Sequence, residues 1–127
     1  MPRILVAEDE DGLRNFVARA LGQDGHEVFA AADGAEALDV LARHDGGFDL
    51  LLADIKMPVM DGIALALATG RDYPDVTILL MTGYADQRER AHGLDAMIHD
   101  VITKPFSLGV MRTAVSAALA ARAQRMN

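Results

Sequence analysis

Short uninterrupted apolar runs alternate along the chain with longer stretches in which apolar residues recur every three or four positions. Ile4-Leu5-Val6-Ala7 shows no polar alternation, the pattern of a strand buried on both faces, and it stops abruptly at Glu8-Asp9-Glu10-Asp11. From Leu13 to Leu21 the residues Leu13, Phe16, Val17, Ala20 and Leu21 keep helical spacing. The unit then repeats. Val28 to Ala31 reads as a strand, Asp33-Gly34-Ala35-Glu36 carries a capping-box-like pair ahead of Ala37, Leu38 and Leu41, and Gly46-Gly47 breaks that helix. Leu50-Leu51-Leu52-Ala53 predicts a third strand ending at Asp54, followed after Met57-Pro58 by a helix from about Gly62 to Arg71. Val76 to Met81 and Val101 to Thr103 predict the fourth and fifth strands, with helices over Asp86 to Leu94 and from Ser107 to about Arg125.

Five short strands alternating with five helices imply an α/β fold, a parallel sheet with helices on both faces, because each right-handed crossover lays a helix on one side. A chain of 127 residues without cysteine can form one core unaided, so a single domain over residues 1–127 with no output domain is expected. The start, Met1 to Val6, reaches Glu8 and Asp9 too soon for a signal peptide or membrane span, and a cytoplasmic protein is expected. The net charge of −7 and the absence of basic stretches interleaved with aromatics argue against nucleic acid as a partner. Residues 1–64 hold 5 Lys/Arg against 13 Asp/Glu, and residues 65–127 hold 7 against 6. Solvated surface explains that imbalance, and so does an acidic site in the first half with a docking face in the second.

Position favours the site. Polar residues stand at the carboxyl end of four apolar strands: Glu8 and Asp9, then Asp54, Thr82 and Lys104. In open α/β sheets ligands bind along that rim, and in the flavodoxin-like order 2-1-3-4-5 the crevice lies between the first and third strands, where the two acidic ends meet. Like charges at roughly 4 Å in a low dielectric repel by several kcal/mol or raise one another's pKa. A hard divalent cation, Mg²⁺ or Mn²⁺, resolves this, since it takes carboxylate oxygens together with a phosphate oxygen. One carboxylate is then available as a nucleophile toward phosphorus, with a hydroxyl (Thr82) and an ammonium (Lys104) for the phosphoryl oxygens. Taken singly, Asp9 or Asp11 also reads as the N-cap of the first helix, Asp54 as a solvated strand end and Lys104 as a surface lysine. Their joint placement at four strand ends is what carries the functional reading.

The blocks Ala7-Glu8-Asp9-Glu10, Asp54-Ile55-Lys56-Met57-Pro58-Val59-Met60-Asp61-Gly62, Met81-Thr82-Gly83-Tyr84 and Lys104-Pro105-Phe106 resemble the signature blocks of response-regulator receiver domains, over about residues 3 to 120. The resemblance implies the CheY-like (βα)5 fold with Asp54 as phospho-acceptor. It implies Asp9 as a metal ligand, Glu8 as a second acid reaching the metal through water, and the Lys56 backbone carbonyl as the third protein ligand. Thr82 would contact the phosphoryl group, Lys104 would pair with it, and the Lys104-Pro105 bond would be cis. The phosphodonor would be a histidine kinase or a histidine phosphotransfer protein. The module would be a monomer or weak dimer.

Three departures from the family pattern bear on output. Val101 stands where receivers usually carry a Tyr or Phe that moves with the threonine, and Met97 stands where a glycine commonly precedes the fifth strand. The segment Gly83 to His92, with Ile98-His99-Asp100, is more polar than a generic fourth helix. Tyr84 reads equally as a replacement reporter and as an exposed loop tyrosine. Arg88, His92 and the segment around them read as a partner face, with Arg88, Arg90 and Arg112 as its positive patch or as plain solvated surface. These features resemble the alpha-proteobacterial stand-alone receivers of the CpdR type, which implies a protein partner such as the ClpX unfoldase and an adaptor role for the ClpXP protease. His26 and His44 read as loop residues near helix ends, where a cation suits the dipole. Met81 reads as core, and Met111 as either core or partner face. A competing class, the metal-dependent aspartyl-nucleophile phosphatases, usually places a second Asp two residues after the first, where this chain has Lys56. A flavodoxin-like cofactor binder would need a Gly, Ser or Thr-rich first loop in place of an acidic one.

Overall fold

The computed structural model describes residues 1–83, Glu89, Ala91 and 93–127. Its strands are β1 (Arg3–Ala7), β2 (Glu27–Ala31), β3 (Leu50–Asp54), β4 (Thr77–Thr82) and β5 (Asp100–Thr103). The helices are α1 (Asp11–Gln23), α2 (Gly34–Arg43), α3 (Gly62–Asp72) and α4 (Leu108–Met126). The helix expected over Asp86 to Leu94 falls mostly outside the described residues, as do Tyr84, Arg88, Arg90 and His92. All strand pairs are parallel, in the order β2-β1-β3-β4-β5. This is the flavodoxin-like order expected of the (βα)5 receiver fold.

The uniform apolar runs are explained by burial on two sides. Leu5, Ala7, Leu51, Ala53, Ile78 and Leu80 pack against α2 and α3 through Leu41 and Leu65. Ile4, Val6, Leu50, Leu52, Leu79, Met81 and Ile102 pack against α1 and α4 through Val17, Leu21, Met111 and Val115. A strand covered on both faces has no polar alternation to display. Met111 is fully buried, which assigns it to the core. Phe16, counted in the apolar period of α1, is half exposed.

Three helices begin on side-chain caps: Asp33 accepts from the Glu36 N–H at 2.8 Å, Asp61 from the Ala64 N–H at 2.8 Å, and Ser107 from the Val110 N–H at 3.1 Å. Such caps contribute about 1 kcal/mol each. The first helix differs. Its N-cap is Glu10, whose side chain makes no cap bond, so neither Asp9 nor Asp11 serves as the cap that their positions suggested. Arg112 Nε is held 2.8 Å from Asp24 Oδ2 near the end of α1, which takes it out of the expected free positive patch. His44 caps the C-terminus of α2 and stacks edge-on against Phe29 and Phe48, while His26 lies in the turn after α1. No helix among the described residues is long and apolar enough to cross a membrane.

Candidate functional site

Strand register brings the acidic ends together. Ala7 lies beside Ala53, so Glu8 and Asp54 are the next pair, and Asp54 lies beside Met81. Side chains alternate along a strand, so Glu8, Asp54 and Lys104 follow Val6, Leu52 and Ile102 in pointing toward the α1 and α4 layer. Thr82 follows Ile78 and Leu80 in the opposite sense. The three charged groups therefore converge, and Thr82 lies buried beneath the rim with Gly83 lining the opening.

The opening is a pocket of about 480 Å³ lined by Glu8, Asp9, Glu10, Asp54, Lys56, Gly83 and Lys104. Lys104 Nζ sits 2.6 Å from Glu8 Oε1 and 3.1 Å from Asp54 Oδ2. The second Glu8 oxygen, Oε2, accepts from the Glu10 N–H at 3.2 Å. The Lys104-Pro105 bond is cis, and the Lys104 N–H donates to the Thr82 carbonyl at 2.7 Å. Carboxylate oxygens of Glu8, Asp9 and Asp54 lie within 4.8 Å of one another. Three hard oxygen donors at that spacing fit a divalent cation of the Mg²⁺ type.

A tight loop carries Asp54 into this position. The Ile55 N–H donates to the Met81 carbonyl at 2.9 Å, and the Gly62 N–H returns to the Ile55 carbonyl at 2.8 Å, closing residues 55–62 onto the strand end. A Cβ at Gly62 would fall on the Asp54 carbonyl oxygen and within 2.8 Å of Ile55 Cα. Val59 at the exposed tip has φ of 68°, a left-handed conformation unfavourable for a β-branched residue. The Gly34 N–H donates to the Met60 carbonyl at 3.1 Å, tying the loop to the start of α2.

Burial raises the pKa of Asp54 above its ordinary value, against the opposing pull of Lys104. Burial also raises Asp9, helped by its hydrogen bond with Glu8 and by that group's charge. For Lys104 burial pulls the pKa down, but the Glu8 hydrogen bond and the Asp54 and Glu8 charges outweigh it, and the net shift is upward. A carboxyl whose folded pKa lies above the unfolded value of 3.8 binds its proton more tightly when folded. Its contribution is therefore complete below 3.8 and is lost as pH rises through the raised folded pKa. In chelator, urea midpoints over that window should include a component that falls with rising pH, and Asp54→Asn should remove it. An unchanged pH profile in the variant would show that Asp54 is not the responsible group.

The remaining residues singled out in the sequence are more scattered. Val101 is half-buried and packs on the α2 and α3 side of the sheet. Pro105 lines an apolar groove with Leu13, Phe16 and Phe106, next to the pocket. The structure adds Glu10 and Gly83 to the pocket wall, Gly62 behind it, and Arg14, whose Nη1 donates to the Glu8 carbonyl at 2.9 Å. Arg14 had a sequence signal, its (i, i+3) spacing from Asp11.

Residues 4–116 match the family model for the response regulator receiver domain. The chain belongs to that family. This receiver is 37% identical over 113 residues to the sensor kinase CckA of Brucella abortus (strain 2308), a match covering 88% of this chain and 12% of that protein. It is 37% identical over 106 residues to the response regulator MprA of Mycobacterium sp. (strain KMS), covering 84% and 45% respectively. The chain thus spans less than half the length of these two relatives. Among solved structures, the response regulator protein TrrA from Thermotoga maritima in complex with Mg(2+)-BeF superposes with a TM-score of 0.81 at 29% identity, covering 93% of this chain and 99% of that one. Membership makes the chain a two-component signalling module with the CheY-like fold.

Proposed function

We propose that this receiver accepts a phosphoryl group on Asp54 from the phosphohistidine of a kinase or phosphotransfer protein, with Mg²⁺ as cofactor, and that the acyl phosphate controls binding of a protein partner. The observation that carries this reading is the convergence of Glu8, Asp9 and Asp54 with Lys104 in one pocket at the switch point of the sheet. Glu8, Asp9, Asp54 and the Lys56 carbonyl would hold the cation, which supplies positive charge for the incoming phosphoryl oxygens. An Asp54 carboxylate oxygen forms the new P–O bond as the donor's P–N bond breaks, and the electron pair of that bond returns to the imidazole. Lys104 keeps Asp54 from being left as an uncompensated buried charge and then pairs with the phosphoryl group. Thr82, which is buried at the rim beside Gly83, would bring its hydroxyl to the phosphoryl group by turning toward the pocket.

Intact mass after incubation with Mg²⁺ and acetyl phosphate tests the chemistry. One labile phosphoryl group is expected on the wild type and none on Asp54→Asn or in excess chelator. A gain that survives Asp54→Asn would falsify the acceptor assignment.

A narrower reading makes the output a ClpXP adaptor function of the unphosphorylated, cytoplasmic receiver. It is supported by Val101 in the place of the usual aromatic and by the polar segment from Gly83 to His92, in which Tyr84, Arg88 and His92 would meet the partner. Pull-downs with the wild type and Asp54→Ala should retain the unfoldase to different extents. Retention by neither removes the adaptor reading and leaves the phosphorylation chemistry untouched.

A further inference from the structure

Glu8 is held from several sides, and part of that constraint comes from outside the pocket. Its N–H donates to the Ala31 carbonyl of β2 at 3.0 Å, and its side-chain oxygens are held by Lys104 and by the Glu10 N–H. Its carbonyl accepts from Arg14 Nη1 at 2.9 Å, while Arg14 Nη2 reaches Asp11 Oδ1 at 2.6 Å. The Arg14 side chain is 17% exposed and the Asp11 side chain 83%. An ion pair to so exposed a carboxylate contributes little to stability, so the pair alone gives a poor reason for the arrangement. The carbonyl contact gives a better one. A trans peptide is planar, so a donor fixed on the Glu8 carbonyl fixes the plane of the Glu8–Asp9 peptide and the direction in which Asp9 leaves β1. The two-pronged guanidinium does this while holding Asp11, which does not line the pocket, to the outer face of the first helical turn.

We infer that Arg14 is a positioning residue of the pocket: through the Glu8 carbonyl it sets where Asp9 stands, and through Asp11 it keeps a further acid out of the cation site. This rests on the reading that Glu8, Asp9 and Asp54 take Mg²⁺. Arg14 does not line the pocket. Its effect is on the geometry of groups that do, and losses of such outer contacts weaken metal binding by about 10- to 100-fold.

Calorimetric titration of the whole chain with Mg²⁺ decides the matter. Arg14→Met keeps the apolar stem and removes both donors, and should weaken Mg²⁺ binding about tenfold at a temperature where it is folded. Asp11→Asn, which leaves the carbonyl contact in place, should stay within about twofold of wild type, as expected for an exposed pair. In the wild type, the ¹⁵Nε signal of Arg14 should move with Mg²⁺ along the same isotherm as the Glu8 and Asp9 amides, a readout that does not depend on the variant folding. If Arg14→Met is less stable but binds Mg²⁺ as the wild type does, if Asp11→Asn is as impaired as Arg14→Met, or if the Arg14 signal is silent, the positioning role is overturned. A wild type that fails to bind Mg²⁺ overturns the cation reading as well, and so separates the two.

Discussion

Lys104→Met should lower the stability of the metal-free protein by about 2 kcal/mol and turn Mg²⁺ into a strong stabiliser. Lys104 lies within 3.1 Å of carboxylates on both Glu8 and Asp54, and Glu8 is fully buried. Removing one partner of a buried ion pair typically costs about 3–5 kcal/mol, because the remaining charge keeps its desolvation penalty and loses its compensation. Lys104 itself is 22% exposed, so solvent already screens part of the interaction, which brings the expected loss to the smaller figure. Without the ammonium that opposes the effect of burial, Asp54 should take up a proton more readily, and a divalent cation should relieve the crowded carboxylates. Urea unfolding in chelator and in saturating Mg²⁺ measures both effects. Equal stability of the variant and wild type in chelator would mean that the ammonium is not what balances the pocket.

Gly62→Ala should cost about 3 kcal/mol and abolish phosphorylation by acetyl phosphate, a larger effect than its single methyl group suggests. Small-to-large changes in a packed region usually cost about 1–3 kcal/mol, because side chains can turn aside. Here the obstructing atoms are backbone: the Asp54 carbonyl oxygen and Ile55 Cα, the latter 2.8 Å from the added carbon. Backbone cannot rotate away without opening the 55–62 loop, and opening that loop moves the carboxylate of Asp54. Thermal unfolding and intact mass should therefore fail together. A variant that unfolds early yet, when held below its transition, still gains a phosphoryl group would show that the loop yields without carrying Asp54 with it.

Most of the fold was legible because the central strands β1, β3 and β4 are covered on both faces, leaving unbroken apolar runs that end in polar residues. The parallel sheet with helices on both faces followed from the alternation of elements and crossover handedness, whereas the order 2-1-3-4-5 came with the resemblance of the signature blocks to receiver domains. Boundaries were less legible. The first helix begins at Asp11, two residues before its first apolar position, because Glu10 enters it without a side-chain cap. The joint placement of Glu8, Asp54, Thr82 and Lys104 could be read from strand ends, but their division could not. Alternation turns Glu8, Asp54 and Lys104 to one side and Thr82 to the other, and this depends on register. Gly62 sits inside a recognisable block, yet the pattern does not reveal that the Asp54 carbonyl and Ile55 Cα occupy the space a side chain would need. The spacing of Arg14 from Asp11 was legible, but its contact with the pocket was not, because the partner there is a main-chain oxygen, which any residue at position 8 would present. Arg112 misled in the opposite direction, since a count of cations does not reveal that Asp24 already holds it.

The division of the rim across the sheet has a consequence for how a charge change is relayed. Alternation along the strands turns Lys104 toward the α1 side and Thr82 and Val101 toward the α2 and α3 side. One link across the sheet is main chain: the Lys104 N–H donates to the Thr82 carbonyl at 2.7 Å. Any pull on the ammonium that shifts the Lys104 backbone reaches the threonine through that hydrogen bond, as a lever passing through the plane of the sheet. Information in this receiver would then cross the fold perpendicular to the strands and emerge on the face opposite the charge that started it.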